Sequence, residues 1–194
     1  MHGGALEDDR RSARVYLRLK RLTMRSLCAM LCVLLSVVLL LGHQSRATAN
    51  RRFSNMTYVT NSPDIAEQVT LVNGEGVVWN GRLHTSLYYG GRYVYGDFDR
   101  DGLEDAAVII GESQGGSDDE VALAFLIHDG TQLVHRQTVY LGQSAIINAL
   151  KERSGNVIVD MLIHQEGDYQ AGPTKRVRNV YSYGKPDKVP PIEL

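Results

Sequence analysis

The residues best placed to do chemistry are four aspartates in one short stretch, Tyr95-Gly96-Asp97-Phe98-Asp99-Arg100-Asp101-Gly102-Leu103-Glu104-Asp105. Asp97, Asp99 and Asp101 alternate, so in a curled loop their carboxylates can converge on one centre. Gly102 permits the sharp turn that follows, Leu103 offers a backbone carbonyl, and Asp105 adds a further carboxylate. An all-oxygen donor set suits a hard divalent cation, and Ca²⁺ is the expected cofactor, held by Asp97, Asp99, Asp101, Leu103 and Asp105. Without a cation, carboxylates this close repel one another. The competing reading is a solvated Asp-rich turn that holds no ion. Val108 stands where an EF-hand places a bidentate Glu, and β-prone runs rather than helices flank the loop, so an EF-hand is excluded. The expected role of calcium is structural, and weak binding of roughly 0.1–1 mM suffices outside a cell.

The pattern D-x-D-x-D-G-x-x-D followed by an apolar strand, here Asp97 to Ile110, resembles the calcium loops of FG-GAP repeats in integrin-type propellers. That resemblance implies a calcium site. It does not imply a propeller, because the loop occurs once and the chain is too short for the usual number of blades. A more diffuse resemblance is to small exported bacterial proteins without an assigned function, carried by Thr70–Gly74, Gly96–Ala106, Gly115–Ser117, Tyr140–Gly142 and Val159–Met161. This chain departs from that group at Asp118-Asp119, two carboxylates that would supplement the site if they reached the loop.

Two other signals suggest different chemistry. Gly111-Glu112-Ser113-Gln114-Gly115 matches the G-x-S-x-G nucleophile elbow, with Asp160 and His164 later in the chain as partners for Ser113. A small secreted serine hydrolase is therefore an alternative, but an elbow needs a helix after the serine, and a strand-like run, Val121–Ile127, follows instead. Trp79, Tyr88, Tyr89, Tyr93 and Tyr95 could form a stacking patch for a sugar, making a carbohydrate-binding module a second alternative. In a β domain such aromatics more often form core and cross-strand pairs. His84, His128, His135 and His164 show no zinc spacing.

The elements that must position these residues read as strands. Gln68–Val72, Val77–Asn80, His84–Tyr89, Arg92–Gly96, Asp105–Ile110, Val121–His128, Gln132–Leu141, Val157–His164 and Lys175–Tyr183 are short runs rich in Val, Ile, Tyr and Leu. Turn signals separate them, among them Asn73-Gly74, Gly90-Gly91, Asp129-Gly130 and Ser154-Gly155-Asn156. Asp129-Gly130 is the clearest hairpin turn. Ser144–Lys151 fits either two helical turns or a strand. Pro63–Gln68 suggests a short helix.

The chain has 194 residues. Residues 1–49 carry eight Lys/Arg and three Asp/Glu, whereas the remainder carries thirteen and nineteen, a formal −6. An acidic body argues against a nucleic-acid partner. The basic head from Arg11 to Arg25, the apolar run Leu27–Leu41 and Ala47-Thr48-Ala49 have the three parts of a secretory signal peptide, with Met24 the expected start of a signal of normal proportions. An uncleaved segment would be the one route to a membrane. Both cysteines, Cys28 and Cys32, lie in the apolar run, so cleavage would leave a body without disulfides. The expected organisation is an N-terminal extension and signal peptide (1–49), a polar lead-in (50–67), a β domain (68–184) and a Pro-rich tail (185–194). The expected fold is a single, mostly β antiparallel domain, a sandwich or curved sheet. The expected function is an exported calcium-binding protein that is not an enzyme, a binding or accessory envelope protein with a protein or glycan partner.

Overall fold

Val, Ile, Leu and aromatic residues alternate with polar ones over most of the body, and the chain answers with strands paired antiparallel throughout. The computed structural model describes residues 46–60, 68–79, 84–116, 118–168 and 172–185. The chain divides into two units, Met1–Ala49 and Asn50–Leu194. In the first, residues 46–49 are helical. In the second, residues 50–53 are helical, and ten strands follow among the described residues. They are β1 Thr57–Val59, β2 Gln68–Thr70, β3 Glu75–Trp79, β4 His84–Gly96, β5 Asp105–Ser113, β6 Glu120–His128, β7 Leu133–Gln143, β8 Ile146–Arg153, β9 Asn156–Ile163 and β10 Lys175–Ser182. Residues 1–45 of the expected extension and signal peptide, residues 63–67 of the expected helix and the tail beyond Lys185 lie outside the described residues. Among the described residues no helix is long and apolar enough to cross a membrane.

The strands form a five-stranded sheet in the order β3-β4-β5-β6-β7, a three-stranded sheet β10-β9-β8 and the pair β1-β2. One core joins the two larger sheets. Ala107 and Ile109 of β5 and Leu123, Phe125 and Ile127 of β6 pack in one cluster with Ile147, Val157, Val159, Met161, Val177 and Tyr181 of the smaller sheet. This is face-to-face sheet packing. The opposite face of the large sheet is covered by residues 50–53, β1 and β2. Phe53 lies against Tyr89, Tyr93 and Tyr95, Tyr58 lies edge-on to His135, and Val69 and Leu71 crowd Gly76. Being covered on both sides explains why β5 and β6 are almost continuously buried and apolar rather than alternating.

Several local expectations change. Gly90-Gly91 does not turn the chain; His84–Gly96 is one strand with an irregularity between Tyr89 and Tyr93. A Cβ at Gly90 would stand 2.8 Å from the Ile109 side chain, so glycine there allows close approach to β5. Ser144–Lys151 resolves as strand from Ile146 onward. The Asp129-Gly130 hairpin is a four-residue loop, because His128 pairs with Leu133. Only Gly130 there has a positive φ, and the Asp129 carboxylate accepts hydrogen bonds from Thr131 N–H, Thr131 Oγ1 and Gln132 N–H. These bonds hold its pKa down at about 2. The stretch 50–67, read as a polar lead-in, supplies Phe53 and Tyr58, both with no exposed surface.

Candidate metal centre

Register Gly96↔Asp105 makes residues 97–104 the connection between β4 and β5. Several devices fix its shape. Phe98, between the first two aspartates, is buried in the inter-sheet core and meets the Phe125 ring edge-on at 5.4 Å. Its ring approaches Gly96 so closely that a Cβ there would stand 3.0 Å away. Arg100 and Gly102 take positive φ, which curls the loop as its Asp-Gly sequence implies. The Ser154-Gly155 turn between β8 and β9 packs beneath, where a Cβ on Gly155 would lie 3.1 Å from the Asp97 carbonyl oxygen.

Asp105 closes the loop. It has no exposed surface, and its Oδ2 accepts the N–H of Phe98 at 2.8 Å and of Asp99 at 3.4 Å. Its Oδ1 accepts the N–H of His128 at 2.8 Å, tying the loop to the end of β6. Asp97, Asp99 and Asp105 bring one carboxylate oxygen each within 4.8 Å of the others. Asp97 Oδ2 accepts the Gly102 N–H at 3.2 Å, while Asp97 Oδ1, on a residue that is itself partly exposed, has almost no accessible surface and no hydrogen-bond partner. An anionic oxygen shielded from water and from every donor is costly to maintain unless a cation meets it. Asp99 is exposed, yet its pKa is raised, first by partial desolvation and then by the charges of Asp105, Asp101 and Asp97, against the Asp101 N–H that lowers it. The neighbouring carboxylates thus add to a rise that desolvation leads.

The other two expected ligands, Asp101 and Leu103, lie in the same loop. Asp101 is exposed and its Oδ1 accepts the Leu103 N–H at 2.8 Å, a turn-forming bond within the loop. Leu103 is 39% exposed. Asp118 and Asp119 do not reach the loop. They follow the far end of β5, roughly 27 Å away at the usual rise per residue, where Asp119 accepts the Tyr88 hydroxyl at 2.9 Å and Asp118 the Ser144 hydroxyl at 3.4 Å.

The hydrolase residues are not assembled. Ser113 ends β5, and β6 returns antiparallel to it where an elbow would launch a helix. Asp160 and His164 are four residues apart on and just after an extended strand, about 13 Å between Cα atoms, too far for the hydrogen bond a triad needs. Among the aromatics, Tyr89, Tyr93 and Tyr95 are half-buried around Phe53 and Tyr88 lies over Gly111, leaving Trp79 at 64% exposure near His84.

One polar residue of consequence gave no sequence signal. His135 is buried on β7; its Nδ1 accepts the Val59 N–H at 2.8 Å, and its Nε2 lies 3.1 Å from the Gln137 carbonyl oxygen. Accepting at Nδ1 leaves the proton on Nε2, a neutral tautomer that pins β1 to β7. Burial lowers its pKa to about 4.

No known protein-family model, curated protein or solved structure matches this chain.

Proposed function

We propose that the β4–β5 loop is a calcium site of structural purpose in an exported protein that is not an enzyme. One observation carries this reading: Asp97 Oδ1 is buried without a donor beside the carboxylates of Asp99 and Asp105. A hard cation fits a donor set of carboxylate oxygens, with loop carbonyls and water available to complete the shell. The likeness of the loop to FG-GAP calcium loops agrees with this choice of ion. The calcium ion would join the β4–β5 connection, through Asp105, to the start of the β6–β7 hairpin at His128, and its neighbour Phe98 to the core. Bound to the native loop and not to the unfolded chain, calcium at a hundred times its Kd would stabilise the fold by about 2.7 kcal/mol. Export, suggested by the N-terminal sequence, would supply millimolar calcium to a weak site.

The test is calcium titration followed by isothermal calorimetry on the purified chain, with Asp99→Asn beside it. Saturable binding lost in Asp99→Asn is the expected result. Binding that persists unchanged in that variant contradicts the assignment. The exposed Trp79 favours a glycan as partner over a catalytic role, and retention on a polysaccharide that disappears in Trp79→Ala would identify it.

A further inference from the structure

The acidic body gathers cations on one surface. Cross-strand register places Lys151 and Arg153 of β8, Ile158 and Asp160 of β9, and Arg176 and Arg178 of β10 on the outer face of the three-stranded sheet, opposite the core residues Val157, Val159 and Val177. Four cations thus share that face with a single carboxylate, and two of them bind it. That carboxylate is not exposed like the others on a solvent face: Asp160 is 5% exposed. Arg176 binds it bidentately, Nε to Oδ1 at 3.0 Å and Nη2 to Oδ2 at 2.8 Å, and Arg178 Nη2 reaches Oδ2 at 3.0 Å. Both contacts are ion pairs. Lys151 and Arg153 are exposed and have no carboxylate partner there.

Beside Asp160 the face is hollow. Ala149 stands opposite Asp160 with no side chain beyond its Cβ, and a concavity of about 300 Å³ opens between Lys151, Arg153, Arg178, Ile158 and Asp160. Glu152 also borders it; one of its carboxylate oxygens, Oε1, accepts the Gly155 N–H at 2.8 Å, and its register partner Val157 lies on the core side of the sheet rather than on the hollow face. Asp160 is neutralised by the two arginines and holds Arg178 by one Nη, which leaves that guanidinium's remaining donors free to bind. A planar guanidinium fixed by a buried carboxylate, with a lysine and a second arginine alongside, is an arrangement suited to a tetrahedral oxyanion.

We infer that this concavity binds a phosphate-type oxyanion, either free or as the headgroup of an anionic lipid, with Lys151, Arg153 and Arg178 as its ligands and Asp160 as the residue that positions Arg178. The inference is independent of the calcium site. Ordinary surface electrostatics makes a different prediction, because Asp160→Asn adds net positive charge and would strengthen binding of any anion. A positioned site loses affinity in the same variant.

The test uses the full chain in EDTA at low ionic strength. Inorganic phosphate is titrated by calorimetry, and co-sedimentation compares vesicles of phosphatidylglycerol in phosphatidylcholine with phosphatidylcholine alone. Saturable phosphate binding is expected, weakened about tenfold or more by K151Q/R153Q, as loss of charge-assisted bonds implies. Ala149→Leu is expected to weaken it comparably by filling the hollow with no change of charge, and Asp160→Asn to weaken it despite the added charge. Both exposed-residue variants K151Q/R153Q and the distant Arg136→Gln should keep the wild-type Tm, and Arg136→Gln should keep wild-type affinity. Binding of phosphatidylglycerol vesicles without binding of free phosphate, abolished by the same variants, assigns the site to a lipid headgroup. The inference is overturned by absence of both kinds of binding, by wild-type affinity in K151Q/R153Q and Ala149→Leu, or by tighter binding in Asp160→Asn.

Discussion

Asp99 and Asp105 carry the same side chain in the same loop and should respond differently to mutation. Asp105 is fully buried and satisfies three backbone N–H groups. Asp105→Ala removes all three bonds and leaves the buried Phe98 N–H unsatisfied. At about 1–3 kcal/mol for that group, with smaller losses at the part-buried Asp99 and His128, this should lower stability whether or not calcium is present. Asp99→Asn keeps an oxygen for the Asp101 N–H and removes a repelling charge, so in EDTA its stability should be close to wild type while the calcium response disappears. Urea melts of both variants with and without calcium separate the clamp from the ligand. His135 gives a pH prediction. Its folded pKa, about 4, lies below the ordinary value of about 6.5, so the unfolded chain binds the proton first. Its contribution is fully present above pH 6.5 and is lost as pH falls towards 4, amounting to about 3 kcal/mol at most. Melts at pH 7 and pH 4.5 should show this loss in the wild type and a much smaller one in His135→Gln.

At the scale of elements, the large sheet depends on close approaches that only glycine allows. A Cβ on Gly111 would lie 2.1 Å from the Tyr88 ring, which is itself anchored by its hydroxyl to Asp119. Gly111→Ala should therefore cost about 1–3 kcal/mol through overpacking, and Tyr88→Ala should restore much of that loss in the double variant. The first glycine of the G-x-S-x-G spelling, Gly111, is thus explained by strand packing, and Gly115 by the positive φ of the turn beyond β5. The covering elements matter as much. Phe53 sits against three tyrosines of β4, so Phe53→Ala should cost about 3–5 kcal/mol in denaturant melts. Nothing in the polar stretch 50–67 announced this, because two large aromatics separated by five residues have no periodicity to read. Strands with their own turn signals were legible: β6, β7, β9 and β10 fall within a few residues of the expected runs. Gly90-Gly91 misled because a glycine pair signals both a turn and a tolerated close contact, and only the neighbouring strand decides between them.

For the whole molecule, the mostly β antiparallel architecture was legible from strand-like runs and turn signals, while the central place of the continuously buried β5 and β6 came only with the structure. Long-range partnership was not. That Asp105 would bond His128, that Gly155 would support Asp97, and that Asp118-Asp119 would lie at the far end of β5 are consequences of register, which alternation alone leaves open. The loop's spacing led to an expectation of five ligands, Asp97, Asp99, Asp101, Leu103 and Asp105; the carboxylates of Asp97, Asp99 and Asp105 lie within 4.8 Å of one another, and Asp101 Oδ1 accepts the Leu103 N–H within the turn. Because this loop is tied to both the core and the β6–β7 hairpin, an ion bound there should be felt by the cooperative fold rather than by the loop alone. Thermal melting of the purified chain in EDTA, in millimolar magnesium and in millimolar calcium tests that most directly. A Tm raised by several degrees in calcium, little changed in magnesium and insensitive to calcium in Asp99→Asn is the predicted result; a Tm that is the same in EDTA and in calcium would contradict the account.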